Sequence, residues 1–66
     1  MKLTVNGESR AVQDGTTLGT LVIDVAGRVE GTAAAINGEL VPRSAWPRTV
    51  LCEADHIELL TARPGG

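Results

Sequence analysis

Apolar and polar residues alternate at the start of the chain, Leu3 and Val5 against Lys2, Thr4 and Asn6. That period of two is the pattern of a half-buried strand. Asn6-Gly7 accepts the positive φ angles of a tight hairpin turn, and Glu8 to Gln13 reads as the returning strand, with only Ala11 and Val12 apolar. Asp14-Gly15 breaks it. The spacing then changes: Leu18, Leu21, Val22 and Val25 fall at i, i+3, i+4 and i+7. On a helix they cover an arc of roughly 100°, the width of a core-facing stripe. Thr16 or Thr17 can cap its start, and Gly27 stands where helices commonly end. The β-branched Val22, Ile23 and Val25, with Gly19, weigh against a helix and leave a strand over residues 20–25 as the alternative.

Residues 28–32 are polar, contain Gly31 and read as a loop. Ala33 to Ile36 is a short apolar run followed by Asn37-Gly38 and Glu39-Leu40-Val41, a second hairpin signal. Pro42 lacks an N–H and stops the second strand or places it at an edge. Residues 43–46 allow one helical turn closed by Pro47, residues 49–51 a short strand, residues 53–55 a turn and residues 57–62 the last strand. The predicted order is β-β-α-β-β-β. A mixed sheet of four to five strands packed on one main helix is the simplest two-layer way to bury the stripe, an α+β fold.

Sixty-six residues make one small domain, burying roughly 60% of the surface its unfolded chain exposes. Trp46 is the only aromatic, which leaves nothing to stack single-stranded nucleic acid. Six Lys and Arg against eight Asp and Glu give a net charge of −2, so no basic surface for a phosphate backbone is expected. One cysteine and one histidine exclude an internal disulfide, a CxxC pair and a thiolate metal cage. No apolar run approaches the ~20 residues of a membrane span, and residues 1–6 turn polar too early for a signal peptide. The expectation is a soluble, cytoplasmic protein with no nucleic-acid or membrane partner.

Arg63-Pro64-Gly65-Gly66 follows the last strand directly. Gly averages ~7% of sequence, so a Gly-Gly end arises by chance about once in 200 chains. It reads either as a frayed terminus or as a thin tail that enters another protein's narrow active site. Without Cβ atoms the backbone passes where a side chain would clash, and the terminal carboxylate is the only reactive group at the tip. A carboxylate so placed can attack the α-phosphate of ATP.

The hairpin, the Thr16-Thr17-Leu18 helix start, Ala35-Ile36-Asn37-Gly38, Leu40-Val41-Pro42-Arg43 with Trp46 after it, and the Gly65-Gly66 end together resemble the thiamine-biosynthesis sulfur carrier family, ThiS. The resemblance covers essentially the whole chain and implies a ubiquitin-like β-grasp domain over residues 1–62 with a flexible tail over 63–66. It departs at Ala54, where the family often has Gly, and at Pro64, which stiffens the tail. The resemblance implies a protein cosubstrate and not an enzyme. An ATP-dependent, E1-like adenylyltransferase of the ThiF type would activate the Gly66 carboxylate. A persulfide, such as that of a cysteine desulfurase, would then supply sulfur, and a thiazole synthase of the ThiG type would consume the thiocarboxylate. No cofactor is expected on the carrier, ATP being used by the partner. Arg63, Pro64 and Gly65 are expected at the partner's channel. The alternatives are a carrier for another pathway, of the molybdopterin synthase small-subunit type, and a β-grasp interaction module with an incidental Gly-Gly end.

Alternation along the last strand turns Ile57 and Leu59 inward and Leu60 outward, either as an isolated surface leucine or as a partner-docking residue. Cys52 reads as a plain thiol against the alternative of a persulfide acceptor, and His56 as a solvated side chain. Trp46 is expected as a packing anchor, Asn37-Gly38 as turn chemistry alone, and Arg43 either ties down the irregular segment or touches a partner.

Overall fold

The computed structural model describes residues 1–62, and the tail expected over 63–66 lies outside the described residues. Strands β1 (Lys2–Val5) and β2 (Glu8–Ala11) are followed by helix α1 (Leu18–Ala26), strands β3 (Thr32–Ile36) and β4 (Glu39–Val41), a 3-10 helix over Arg43–Arg48, and β5 (His56–Thr61). The strands form one sheet in the order β2-β1-β5-β3-β4, with β1 parallel to β5 and the other pairs antiparallel. This is the expected β-grasp, with five strands. The last strand lies at the centre of the sheet, pairing with β1 at His56 and Ile57 and with β3 from Ile57 to Thr61.

Both hairpins close as the Asn-Gly dipeptides require. Val5 pairs with Glu8 and Ile36 with Glu39, which leaves two-residue loops with φ of +51° and +84° in each. Helix α1 is capped by Thr17, whose side chain accepts from the Thr20 N–H, and ends at Gly27 in the left-handed conformation. Its stripe buries Leu18, Leu21 and Val22 against Leu3, Val5, Ala34, Ile57 and Leu59 of the sheet. Val25, expected in that stripe, is only partly buried and packs at the edge of the core. Trp46 and Leu51 complete the core, and the Trp46 indole N–H donates to the Val41 carbonyl at 2.9 Å.

Three expected elements are corrected. The returning strand stops at Ala11, short of Gln13: β1 begins at Lys2, and Val12 is held by Met1 alone, whose carbonyl accepts from the Val12 N–H and whose ammonium donates to the Val12 carbonyl, each at 2.9 Å. Residues 49–51 form no strand of their own but a single bridge, Thr17 to Val50. The opposing segment turns into α1 at Leu18 and has no further residues to pair. Pro47 lies inside the 3-10 helix instead of closing it. The bond its missing N–H would make to the Ser44 carbonyl is replaced by the Arg48 guanidinium, at 3.3 Å.

Ala54 adopts φ of +69°, in the left-handed region. An L-residue there costs roughly 1–2 kcal/mol, against 0.5–1 kcal/mol for the extra freedom that glycine loses on folding. Ala54→Gly is therefore expected to stabilise the domain by about 0.5–1 kcal/mol. Urea denaturation checks it: the midpoint should rise with an unchanged slope.

Candidate functional site

The sheet has one face under α1 and one face open. On β5, Ile57 and Leu59 are buried while His56, Glu58 and Leu60 point outward, so Leu60 has the orientation expected from alternation. Leu60 is 76% exposed and Leu40 of β4 is 78% exposed. They are joined by small side chains, since Ala33 stands opposite Leu60, and Ala35 lies between Glu58 and Leu40. Leu40, Ala33, Ala35 and Leu60 line a shallow groove of about 220 Å³ whose polar margin is Asn6 and Glu58. The rest of the open face is polar, with the Thr4 hydroxyl 2.9 Å from His56 Nδ1. Exposed leucines gathered on one half of one face are the arrangement of an interaction surface, unlike scattered single residues.

The same strand carries the root of the tail. The ladder between β5 and β3 ends at the pair Thr61 and Thr32. Beyond it the Ala62 N–H donates to the Gly31 carbonyl at 2.7 Å, and the Ala62 carbonyl accepts from Arg28 Nη2 at 2.8 Å. Leu60 thus stands two residues before Ala62, the last described residue. The other sequence-predicted site residues, Arg63, Pro64, Gly65 and Gly66, lie outside the described residues.

Side-chain amides hold β5 where strand partners run out. Asn6 accepts from the Leu59 N–H at 2.9 Å and donates to the Leu59 carbonyl at 3.3 Å, extending β1 by one residue's worth of pairing. Asn37 accepts from the His56 N–H at 2.9 Å and donates to Asp55 Oδ1 at 3.0 Å, while Asp55 Oδ2 accepts from the Cys52 N–H at 2.8 Å. Asn37 is therefore more than a turn residue, since it also fixes the start of β5. The polar groups around Cys52 serve this turn, and its thiol is exposed. Arg43 opens the 3-10 helix and is exposed, whereas the side chains of Trp46, Arg48 and Thr49 tie this segment to backbone carbonyls. A wider depression of about 570 Å³ lies in the helical layer, lined by Thr17, Gly19, Thr20, Ile23, Asp24 and Pro47. It belongs to the layer on the opposite side of the sheet from the groove at Leu60, and Asp24 is its only ionisable side chain among the described residues.

A family profile for ThiS matches residues 3–66. The chain belongs to the ThiS family. The sulfur carrier protein ThiS of Escherichia coli (strain K12) is 30% identical over 66 residues, covering 100% of both chains. The crystal structure of a thiamine biosynthesis protein (ThiS) from Geobacter metallireducens superposes with a TM-score of 0.81 at 31% identity, again over 100% of each chain. A solution structure of a thiamine biosynthesis protein from that organism gives 0.77 at 27% identity, covering 100% of this chain and 88% of the other. The β-grasp architecture is thus that of the ThiS structures.

Sequence reasoning missed Leu40 as a companion of Leu60, although the signal was present: with Val41 turned inward, alternation sends Leu40 outward. Arg28 and Gly31 read as loop residues, and their contacts with Ala62 bridge more than thirty positions, beyond any local pattern.

Proposed function

We propose that this ThiS-family chain is a sulfur carrier in thiamine biosynthesis that works through the carboxylate of Gly66. The observation that carries the reading is a family match running from residue 3 through the Gly65-Gly66 end, with no break at β5. The Gly66 carboxylate attacks the α-phosphorus of ATP in the site of an E1-like adenylyltransferase of the ThiF type, and pyrophosphate leaves. A persulfide sulfur of a donor such as a cysteine desulfurase attacks the acyl carbon and displaces AMP. A thiol then cleaves the sulfur–sulfur bond, the thiol pair is oxidised to a disulfide, and a thiocarboxylate remains on Gly66. A thiazole synthase of the ThiG type takes that sulfur. Carboxylate and sulfur do not combine until the leaving group is AMP, so the carrier supplies a group and a handle while its partners supply the catalytic side chains.

In this reading the Leu60 and Leu40 face is the handle. An apolar surface beside the tail root lets a partner hold the body and direct the last residues into its channel. Incubation with ATP, a persulfide donor and a ThiF-type adenylyltransferase should give the mass increase of one oxygen replaced by sulfur, located on Gly66 by fragmentation. A chain that gains no sulfur under these conditions refutes the reading.

Leu60→Glu should lower affinity for the adenylyltransferase or the thiazole synthase about tenfold or more, because a buried unpaired carboxylate at an interface is costly. At 76% exposure the fold should tolerate it. Calorimetric titration checks this, and unchanged affinity for both partners makes Leu60 an ordinary surface residue.

A further inference from the structure

We propose that Arg28 is a positioning residue for the C-terminal residues: its guanidinium and the Gly31 carbonyl together hold Ala62 and fix the point from which residues 63–66 start. The inference rests on the carrier reading above and adds a residue to it.

The connection between α1 and β3 reaches across to the end of β5 and engages both backbone polar groups of a single residue. The Ala62 N–H donates to the Gly31 carbonyl at 2.7 Å, and the Ala62 carbonyl accepts from Arg28 Nη2 at 2.8 Å. Ala62 lies past the last ladder pair, Thr61 with Thr32. The connection is itself anchored to β3. The Thr32 N–H donates to the Val29 carbonyl at 3.2 Å, and its hydroxyl donates to the Arg28 carbonyl at 3.3 Å. Gly31 sits at φ of +74°, a conformation an L-residue resists, and this turns its carbonyl onto Ala62. The guanidinium supplies a charge-assisted donor, stronger than a neutral one.

Arg28 and Ala62 are both exposed, so this contact adds little to global stability. Its effect is local, on the position of Ala62. The four residues from Arg63 to Gly66 reach at most ~14 Å from Ala62. Once released, Ala62 samples more positions and must be ordered each time the terminal carboxylate is seated against ATP. The seated fraction then falls, while the body still docks through the Leu60 and Leu40 face. Loss of the clamp should therefore appear in kcat, and loss of the docking face in KM.

The test uses full chains of the wild type, Arg28→Met, Arg28→Lys and Leu60→Glu with a ThiF-type adenylyltransferase at saturating ATP, following pyrophosphate release against carrier concentration. Arg28→Met keeps the aliphatic stem without the donor, and its kcat should fall about fivefold with KM unchanged. Arg28→Lys, whose ammonium can donate to the same carbonyl, should recover part of the loss. Leu60→Glu should raise KM instead. In the isolated chain, Arg28→Met should speed hydrogen exchange at the Ala62 amide while the melting temperature stays within about 3 °C. An unaltered kcat, an unaltered Ala62 exchange rate, or a raised KM with kcat retained each overturns the clamp; the last would make Arg28 a partner contact. A wild-type chain that releases no pyrophosphate overturns the carrier reading and the clamp's purpose with it. An active wild type with an unaffected Arg28→Met overturns the clamp alone.

Discussion

Deletion of Gly66 is expected to abolish sulfur loading, to below about one-thousandth of the wild-type rate, while leaving the domain folded. In the proposed mechanism the reacting group is the single carboxylate of Gly66, and an in-line attack on phosphorus tolerates little displacement. Removing one residue withdraws that carboxylate by ~3.5 Å, about the whole separation of reacting atoms in a productive complex. Gly65 cannot compensate, because the docked body sets where the tail begins. Gly65→Val should fail as well, since a β-branched side chain widens the tail and restricts its backbone. Both changes lie past β5, the last element of the sheet, so the thermal transition should be unchanged. Cys52→Ser should load like the wild type: the thiol is exposed and its surrounding hydrogen bonds belong to the turn. Intact mass with fragmentation reads all four chains. Sulfur found on Cys52, or loading that survives loss of Gly66, overturns the mechanism.

The parts of the molecule that were legible in the sequence are those set by neighbours in the chain. Asn6-Gly7 and Asn37-Gly38 announce two-residue hairpins because only a few residue types accept paired positive φ angles, and both turns form. The contest between helix and strand over residues 20–25 is resolved by burial. A strand would put Leu21, Ile23 and Val25 on one face, whereas α1 buries Leu18, Leu21 and Val22 together and leaves Ile23 51% exposed. Alternation likewise placed Leu60 on the open face. What was not legible depends on chain segments far apart. The bridge at Val50 is cut short because its partner segment turns into a helix at Leu18, far earlier in the chain. The Asn6 amide on Leu59 and the Arg28 guanidinium on Ala62 are contacts across 53 and 34 positions of the chain. These two contacts hold β5 and the residue after it, so the end of that strand is fixed largely by long-range contacts.

Leu21→Ala should cost about 2–5 kcal/mol, close to half of the roughly 3–10 kcal/mol expected for a chain this short. The size follows from position. Leu21 is 1% exposed at the middle of the buried stripe of α1, among Leu18, Val22 and the inward side chains of the sheet. With Trp46 the only aromatic in the core, aliphatic burial carries the fold, and a cavity under α1 leaves few neighbours able to close over it. Ile23→Ala, two positions along the same helix, is the control. Its side chain is 51% exposed and alanine favours the helix, so its cost should stay below about 1 kcal/mol. Fluorescence of the buried Trp46 follows urea unfolding of both chains. The Leu21→Ala midpoint should drop steeply at constant slope, whereas that of Ile23→Ala should barely move. Equal costs for the two substitutions would mean that α1 does not bury the stripe assigned to it. A steep loss at Leu21 with sulfur loading retained below the new midpoint would separate the role of the core, which holds β5 in place, from the chemistry at Gly66.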